Sequence, residues 1–282
     1  MKLRLVRRPD APFDGRFFER DPRLWPVAGA ASVFADRGGW PAPEEYLLAF
    51  RGRAAPVRFE RDTPRKRPRG QPIDLDTLYD ARILRGAVPT RAGNWHDFLN
   101  ALVWATFPRA KLALHRRQNE LIRAWIPPGA VALPNARMPA QDTIALLDEG
   151  GILLIQDGER EVRVPFGHGF LEGIVLGVPA MVSRGFCLRA GRLPGDTEAL
   201  LALADELLED AIRGPLHHIA LPDAHPRGLP GLAALRGGPL TSPRERSSPR
   251  VTSLLLRPGR SSRPPGRAAT GWRGPGRSAA RR

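Results

Sequence analysis

Cysteine is almost missing from this chain: Cys187 stands alone among 282 residues. One thiol closes no internal disulfide and builds no cysteine-rich zinc module. Long apolar runs are missing too. No window of about 18 residues is free of charge, so no membrane-spanning helix is expected. The opening MKLRLVRRPDAPFDGRFFERD has basic residues with no apolar run behind them, so a secretory signal is not expected. HExxH and the phosphate-binding P-loop pattern are absent. So is GxSxG, the serine-nucleophile pattern. These absences point to a cytoplasmic protein without a membrane partner, whose chemistry has no standard motif.

What is present supports a real core, since 42% of the residues are hydrophobic. The length suits one large domain or two small ones. The net charge of +15 looks like a nucleic-acid signal. Its distribution argues otherwise. Residues 226–282 hold 13 arginines and a single acid, Glu245, whereas the other 225 residues carry 31 basic and 28 acidic side chains. Any nucleic-acid partner therefore depends on the tail being genuine, and other partners are unknown.

Residues 1–72 are rich in Pro, Gly and Arg, with PEEYLLAF readable as a short helix and PVRFERD as a strand. DTPRKRPRGQP is a basic, proline-broken loop. In DLDTLYDARILRG the apolar Leu75, Leu78, Tyr79 and Ile83 recur at helical spacing until Gly86. Helices are predicted over about 95–105 and 108–125, the second with Pro108 in its first turn. DTIALLDEGGILLIQDG reads as two apolar strands joined by DEGG, a hairpin. REVRVPF reads as a strand, GHGFLEGIVLG as a turn into a short helix, and PAMVSRGFCLR as a further strand. DTEALLALADELLEDAIRG is the clearest helix, with Asp196 as N-cap and Gly214 at its end. The expected fold is α+β: a helical half packed with a small, mainly antiparallel sheet, and a disordered C-terminal tail.

That tail begins at residue 226, leaving 1–225 as a single domain. Of its 57 residues, 38 are Arg, Pro, Gly or Ser, too few apolar groups to offset chain entropy. Two origins stand open: a basic arm that binds phosphates, or a GC-rich reading frame entered by accident.

VPTRAGNWHDFLNALVWATFPRAK, residues 88–111, raises the functional question. On one reading Asn94 caps the helix, Asp97 closes a capping box, and His96 merely flanks an apolar stripe. On the other, His96, Asp97 and Asn100 meet in one small volume, with Arg91 just before them and Lys111, His115 and Gln118 on a face of the next helix. An imidazole, a carboxylate, amides and a cation are the groups that acid–base chemistry or anion binding requires. A second cluster, PFGHGFLEG, sets His168 and Glu172 at i and i+4, a candidate metal or proton-transfer pair. Its GxGxxxG is one residue too long for the dinucleotide fingerprint and lacks the βαβ context. His217 and His218 are adjacent on an extended stretch, so only one can join a common site. Cys187 is read as buried and inert.

The candidate catalytic residues are thus His96, Asp97, Asn100 and His168. The candidate ligand-binding residues are Arg91, Asn94, Lys111 and Glu172. Cofactor and metal stay open. Three functions compete: metal-assisted hydrolysis or ligand binding around this helix, nucleic-acid association through the tail, and a non-catalytic interaction role.

VPTRAGNWHDFLNALVWATFPRAK, followed by DTIALLDEGGILLI and PFGHGFLE, resembles a family of bacterial proteins known only as a domain of unknown function. The resemblance spans about residues 20–231 and implies one domain, with no activity, cofactor or catalytic residue to carry over. In that family the stretch like GLPG is followed by a Trp and an acidic, aromatic ending. Here LAALRGGP follows instead. A Leu-Ala codon pair read one base later begins with a Trp codon, which fits a frameshift near Gly231.

Overall fold

A computed structural model describes residues 11–63, 70–134, 136–178, 181 and 183–214. The chain divides into a unit Met1–Leu240, which contains all of these, and a unit Thr241–Arg282 outside them. The expected tail, His217 and His218 all lie outside the described residues.

The fold is α+β. The helices are α1 (Trp25–Ala31), α2 (Tyr79–Leu84), α3 (Trp95–Thr106), α4 (Pro108–Trp125), α5 (Pro139–Gly150), α6 (His168–Val175) and α7 (Thr197–Arg213). The strands are β1 (Arg58–Arg61), β2 (Ala87–Thr90), β3 (Gly151–Gln156), β4 (Glu161–Pro165) and β5 (Arg184–Arg189). PEEYLLAF winds as a 3-10 helix, Pro43–Phe50.

The centre of the fold is α3. Nine of its twelve residues are buried, on all sides rather than on one stripe. A helix apolar all round is one that other elements enclose. Around it pack α1, the 3-10 helix Pro43–Phe50, α4 and α6. Phe98 carries the aromatic cluster: the rings of Phe34 and Tyr46 both lie 5.2 Å from its own, with Phe13, Phe17, Trp40 and Trp95 just beyond. Such ring pairs add about 0.5–1.5 kcal/mol each beyond burial. The indole N–H of Trp95 donates to the Ala11 carbonyl at 3.1 Å. The N-terminal stretch from Ala11 to Phe59 therefore contributes to the core, and Ala11 pins the first turn of α3, where His96 sits.

Two of the sequence expectations need correction. The strand pairing is mixed, not mainly antiparallel. Only β3–β4 is antiparallel; β5 lies parallel on the other side of β3, and β1 is parallel to β2. A parallel neighbour needs a crossover, which the segments carrying α6 and α2 supply. DTIALLDEGG is not a strand and turn but helix α5 running directly into β3. Pro139 opens it, and the Gln141 side chain accepts from the Met138 backbone N–H at 3.0 Å. Ile144 and Leu147, at i and i+3, are its core contacts. A short apolar run fits either period, and here the N-terminal cap decides it. Among the described residues, no helix is long and apolar enough to cross a membrane.

Candidate functional site

Three elements converge on one point. The first turn of α3 supplies His96, the first turn of α6 supplies His168, and the last turn of α5 supplies Asp148 and Glu149. The convergence depends on glycine. A side chain at Gly167 would place its Cβ 2.5 Å from the Gly151 nitrogen and 2.6 Å from the Glu149 carbonyl. At Gly169 it would stand 2.6 Å from Glu149 Oε2. The GHG of PFGHGF thus lets the start of α6 lie against the end of α5: a Cβ at Gly167 would meet backbone that cannot yield, and one at Gly169 would displace the Glu149 carboxylate.

His96 Nε2 and His168 Nε2 stand 3.0 Å apart. Glu149 Oε1 lies 3.9 Å from the first and 3.8 Å from the second. The other ring nitrogens face carboxylates: His96 Nδ1 lies 3.1 Å from Glu172 Oε2, and His168 Nδ1 lies 3.5 Å from Asp148 Oδ1. At His96 the Glu172 carboxylate favours the proton on Nδ1 and the lone pair on Nε2, while at His168 the Asp148 carboxylate lies at ion-pair distance from Nδ1 and favours the same arrangement electrostatically. Two such lone pairs at 3.0 Å repel unless a proton or a cation sits between them. His96, Glu149 and His168 together form a group able to hold a metal ion. Ligand atoms about 2.0–2.1 Å from a tetrahedral zinc stand roughly 3.4 Å apart, so these three need to shift by only about 0.6 Å or less.

Behind the imidazoles lies a buried charge pair. Lys111 is fully enclosed, its Nζ donating to Asp148 Oδ1 at 2.5 Å and lying 5.6 Å from the Trp104 ring centre. Burial alone would push the Asp148 carboxyl up, but the Lys111 ammonium and the His168 imidazole hold it well below the usual carboxylate range. Burial alone would lower the His96 imidazole, but the bond to Glu172 and the charge of Glu149 raise it above its ordinary value. Further along α4, His115 Nδ1 meets Asp80 Oδ1 at 2.8 Å, and its ring stacks on Trp104. Burial lowers this imidazole despite the bond to Asp80, and Lys111 lowers it further.

The convergence opens into a cleft of about 460 Å³ lined also by Asp62, Tyr79, Arg82, Arg91, Asp97 and Asn100. The eight residues singled out in the sequence do not all serve it alike. His96, His168, Arg91, Asp97 and Asn100 line the cleft. Lys111 and Glu172 are buried and act on the imidazoles from behind. Asn94 is the helix cap, accepting from the Asp97 N–H at 3.1 Å. The expected capping box changes partner: the Asp97 carboxylate accepts from Arg91, from its backbone N–H at 2.6 Å, from Nη2 at 2.8 Å and from Nε at 3.0 Å. His168 and Glu172 do not act as a pair, because Glu172 turns to His96 instead. Cys187 is half-buried on β5, and burial raises its thiol.

Asp148 and Glu149 escape the sequence reading because DEGG has the composition of a turn. Once α5 is recognised they stand out. Two acids in the last turn of a helix oppose its dipole, so something else must hold them there.

No curated protein and no solved structure is significantly similar to this chain. Residues 70–163, which run from before α2 into β4 and include His96 and Glu149 but not His168, match the family described as protein of unknown function (DUF3025).

Proposed function

We propose that the chain is a metal-assisted hydrolase whose ion is held by His96, His168 and Glu149. One observation carries this reading: two imidazole Nε2 atoms 3.0 Å apart, with a carboxylate oxygen within 3.9 Å of both. Two histidines and one carboxylate suit a borderline divalent ion such as zinc and leave a coordination position open, as hydrolytic centres do. Four carboxylates and two guanidinium groups line the cleft, an excess of negative charge that one divalent cation balances. When bound, the ion polarises a substrate oxygen and a water.

The chain's own residues divide the remaining work. Glu172 and Asp148 fix the tautomer and orientation of the two imidazoles. Lys111 keeps Asp148 ionised inside the protein. Asp97 holds Arg91 at the cleft wall, and Asn100 adds a buried amide to its lining.

The test is elemental analysis of purified full-length protein, followed by zinc titration after chelation. One ion per chain, lost in His96→Ala and in His168→Ala, supports the centre. A folded wild-type protein that binds no divalent ion overturns it, and a shared proton then joins the two imidazoles.

A further inference from the structure

The cleft that holds the histidines is lined also by two arginines, and their placement speaks to the substrate. Both are tied to the carboxyl ends of the parallel pair β1–β2. The Asp62 N–H, just past β1, donates to the Thr90 carbonyl at the end of β2 at 2.8 Å. Asp62 Oδ1 in turn accepts from Arg82 Nη1 at 3.1 Å. Arg91 follows Thr90 directly and is clamped by Asp97. Neither guanidinium is used up. Arg82 keeps Nε and Nη2, and Arg91 keeps Nη1, without a protein partner among the described residues. The Arg82 side chain is 28% exposed and that of Arg91 60% exposed, so both guanidinium groups are held in position while their remaining N–H groups stay reachable.

We propose that the cleft takes a small phosphate ester, with Arg82 and Arg91 binding phosphoryl oxygens beside the His96–Glu149–His168 centre. The inference rests on the hydrolase reading above. The planar guanidinium fork matches phosphate and carboxylate oxygens. The number of cationic points separates the two. Two guanidinium groups and an ion make three, matching the three non-bridging oxygens of a monoester, whereas a carboxylate has two oxygens. A volume of about 460 Å³ lies in the range of small-molecule pockets. Tyr79, 43% exposed and part of the cleft lining, gives the ester's organic part an aromatic face. In the reaction a water oxygen bonds to phosphorus, the ester P–O bond breaks, and a water proton goes to the departing alcohol oxygen.

The experiment is calorimetric titration of zinc-loaded full-length protein with phenylphosphonate, which resists hydrolysis, and with benzoate as the carboxylate control. Metal content is measured in parallel, so failure of the metal centre is seen separately from failure of the anion site. Phenylphosphonate is expected to bind more tightly than benzoate. Arg82→Gln and Arg91→Gln are each expected to weaken it roughly tenfold at unchanged metal content. Arg82→Lys and Arg91→Lys keep the charge but remove the fork, so they test the site if the Gln variants fail to fold. Equal affinity for the two probes, or undiminished phosphonate binding by well-folded variants of both arginines, overturns the proposal.

Discussion

His96 and His168 are 72 residues apart in the chain, and their Nε2 atoms are 3.0 Å apart in space. Each imidazole is braced from behind by a carboxylate on its other nitrogen, Glu172 for the first and Asp148 for the second. The bracing is crossed: Glu172 lies on the same helix as His168 but serves His96.

That crossing makes Glu172 a sharp probe of the centre. Glu172→Gln removes a charge but no bulk and leaves all three candidate ligands in place. Losing such a brace typically costs about 10–100-fold in metal affinity. Competition against a chromophoric chelator should show a drop of that size for Glu172→Gln, with the fold intact by circular dichroism. An unchanged affinity would detach Glu172 from the centre.

Lys111 and Asp148 form a buried ion pair, and breaking one side of it leaves the other charge without compensation. Lys111→Met should destabilise the protein by about 3–5 kcal/mol in urea unfolding. Lys111→Met combined with Asp148→Leu should recover much of that loss, because no lone charge remains. If the double variant is as unstable as the single, uncompensated charge is not the cause.

His115 gives a pH dependence whose sign is fixed. Its folded pKa is lowered, chiefly by burial, so below the ordinary histidine range the unfolded chain binds the proton that the folded one refuses. The contribution is present above about pH 6.5 and is lost as pH falls below it. Unfolding free energies for wild type and His115→Gln, which keeps a donor toward Asp80, should converge between about pH 7 and pH 5. Parallel curves over that interval would mean that His115 does not titrate in this way.

Gly167 tests the packing of α6 on α5. Gly167→Ala sets a methyl group against the backbone of Glu149 and Gly151, which cannot yield as a flexible side chain would. Overpacking of this kind costs about 1–3 kcal/mol. It should also weaken metal binding by moving His168 away from Glu149. Gly38→Ala, where nothing lies within 4 Å of the new carbon, is the neutral comparison. Equal thermal midpoints for the two variants would remove the packing argument.

Asn94 separates capping from chemistry. Asn94→Ala removes the acceptor for the Asp97 N–H and should cost about 1 kcal/mol of stability. Metal affinity per folded molecule should not change. A large loss of metal in a stable Asn94→Ala protein would place the cap nearer the centre than its bonds suggest.

Local rules determined much of this molecule. The spacing of apolar residues, the caps at Asn94 and Asp196 and the first-turn Pro108 make α3, α4 and α7 legible, because a helix start is fixed by neighbours three or four residues away. The same reading picks out His96 and His168 and six of the surrounding polar groups, yet it cannot say that the two imidazoles meet. The contact depends on GHG packing against the end of α5, a long-range approach with no periodic signature. It also mistook α5 for strand and turn, since a short apolar run satisfies either period, and so it passed over Asp148 and Glu149. Only the tertiary structure decided which carboxylate serves which histidine. Glu172 is within helical reach of His168 along the chain, but the packing of α6 against α3 turns it to His96 and leaves Lys111 and Asp148, buried together, to hold His168.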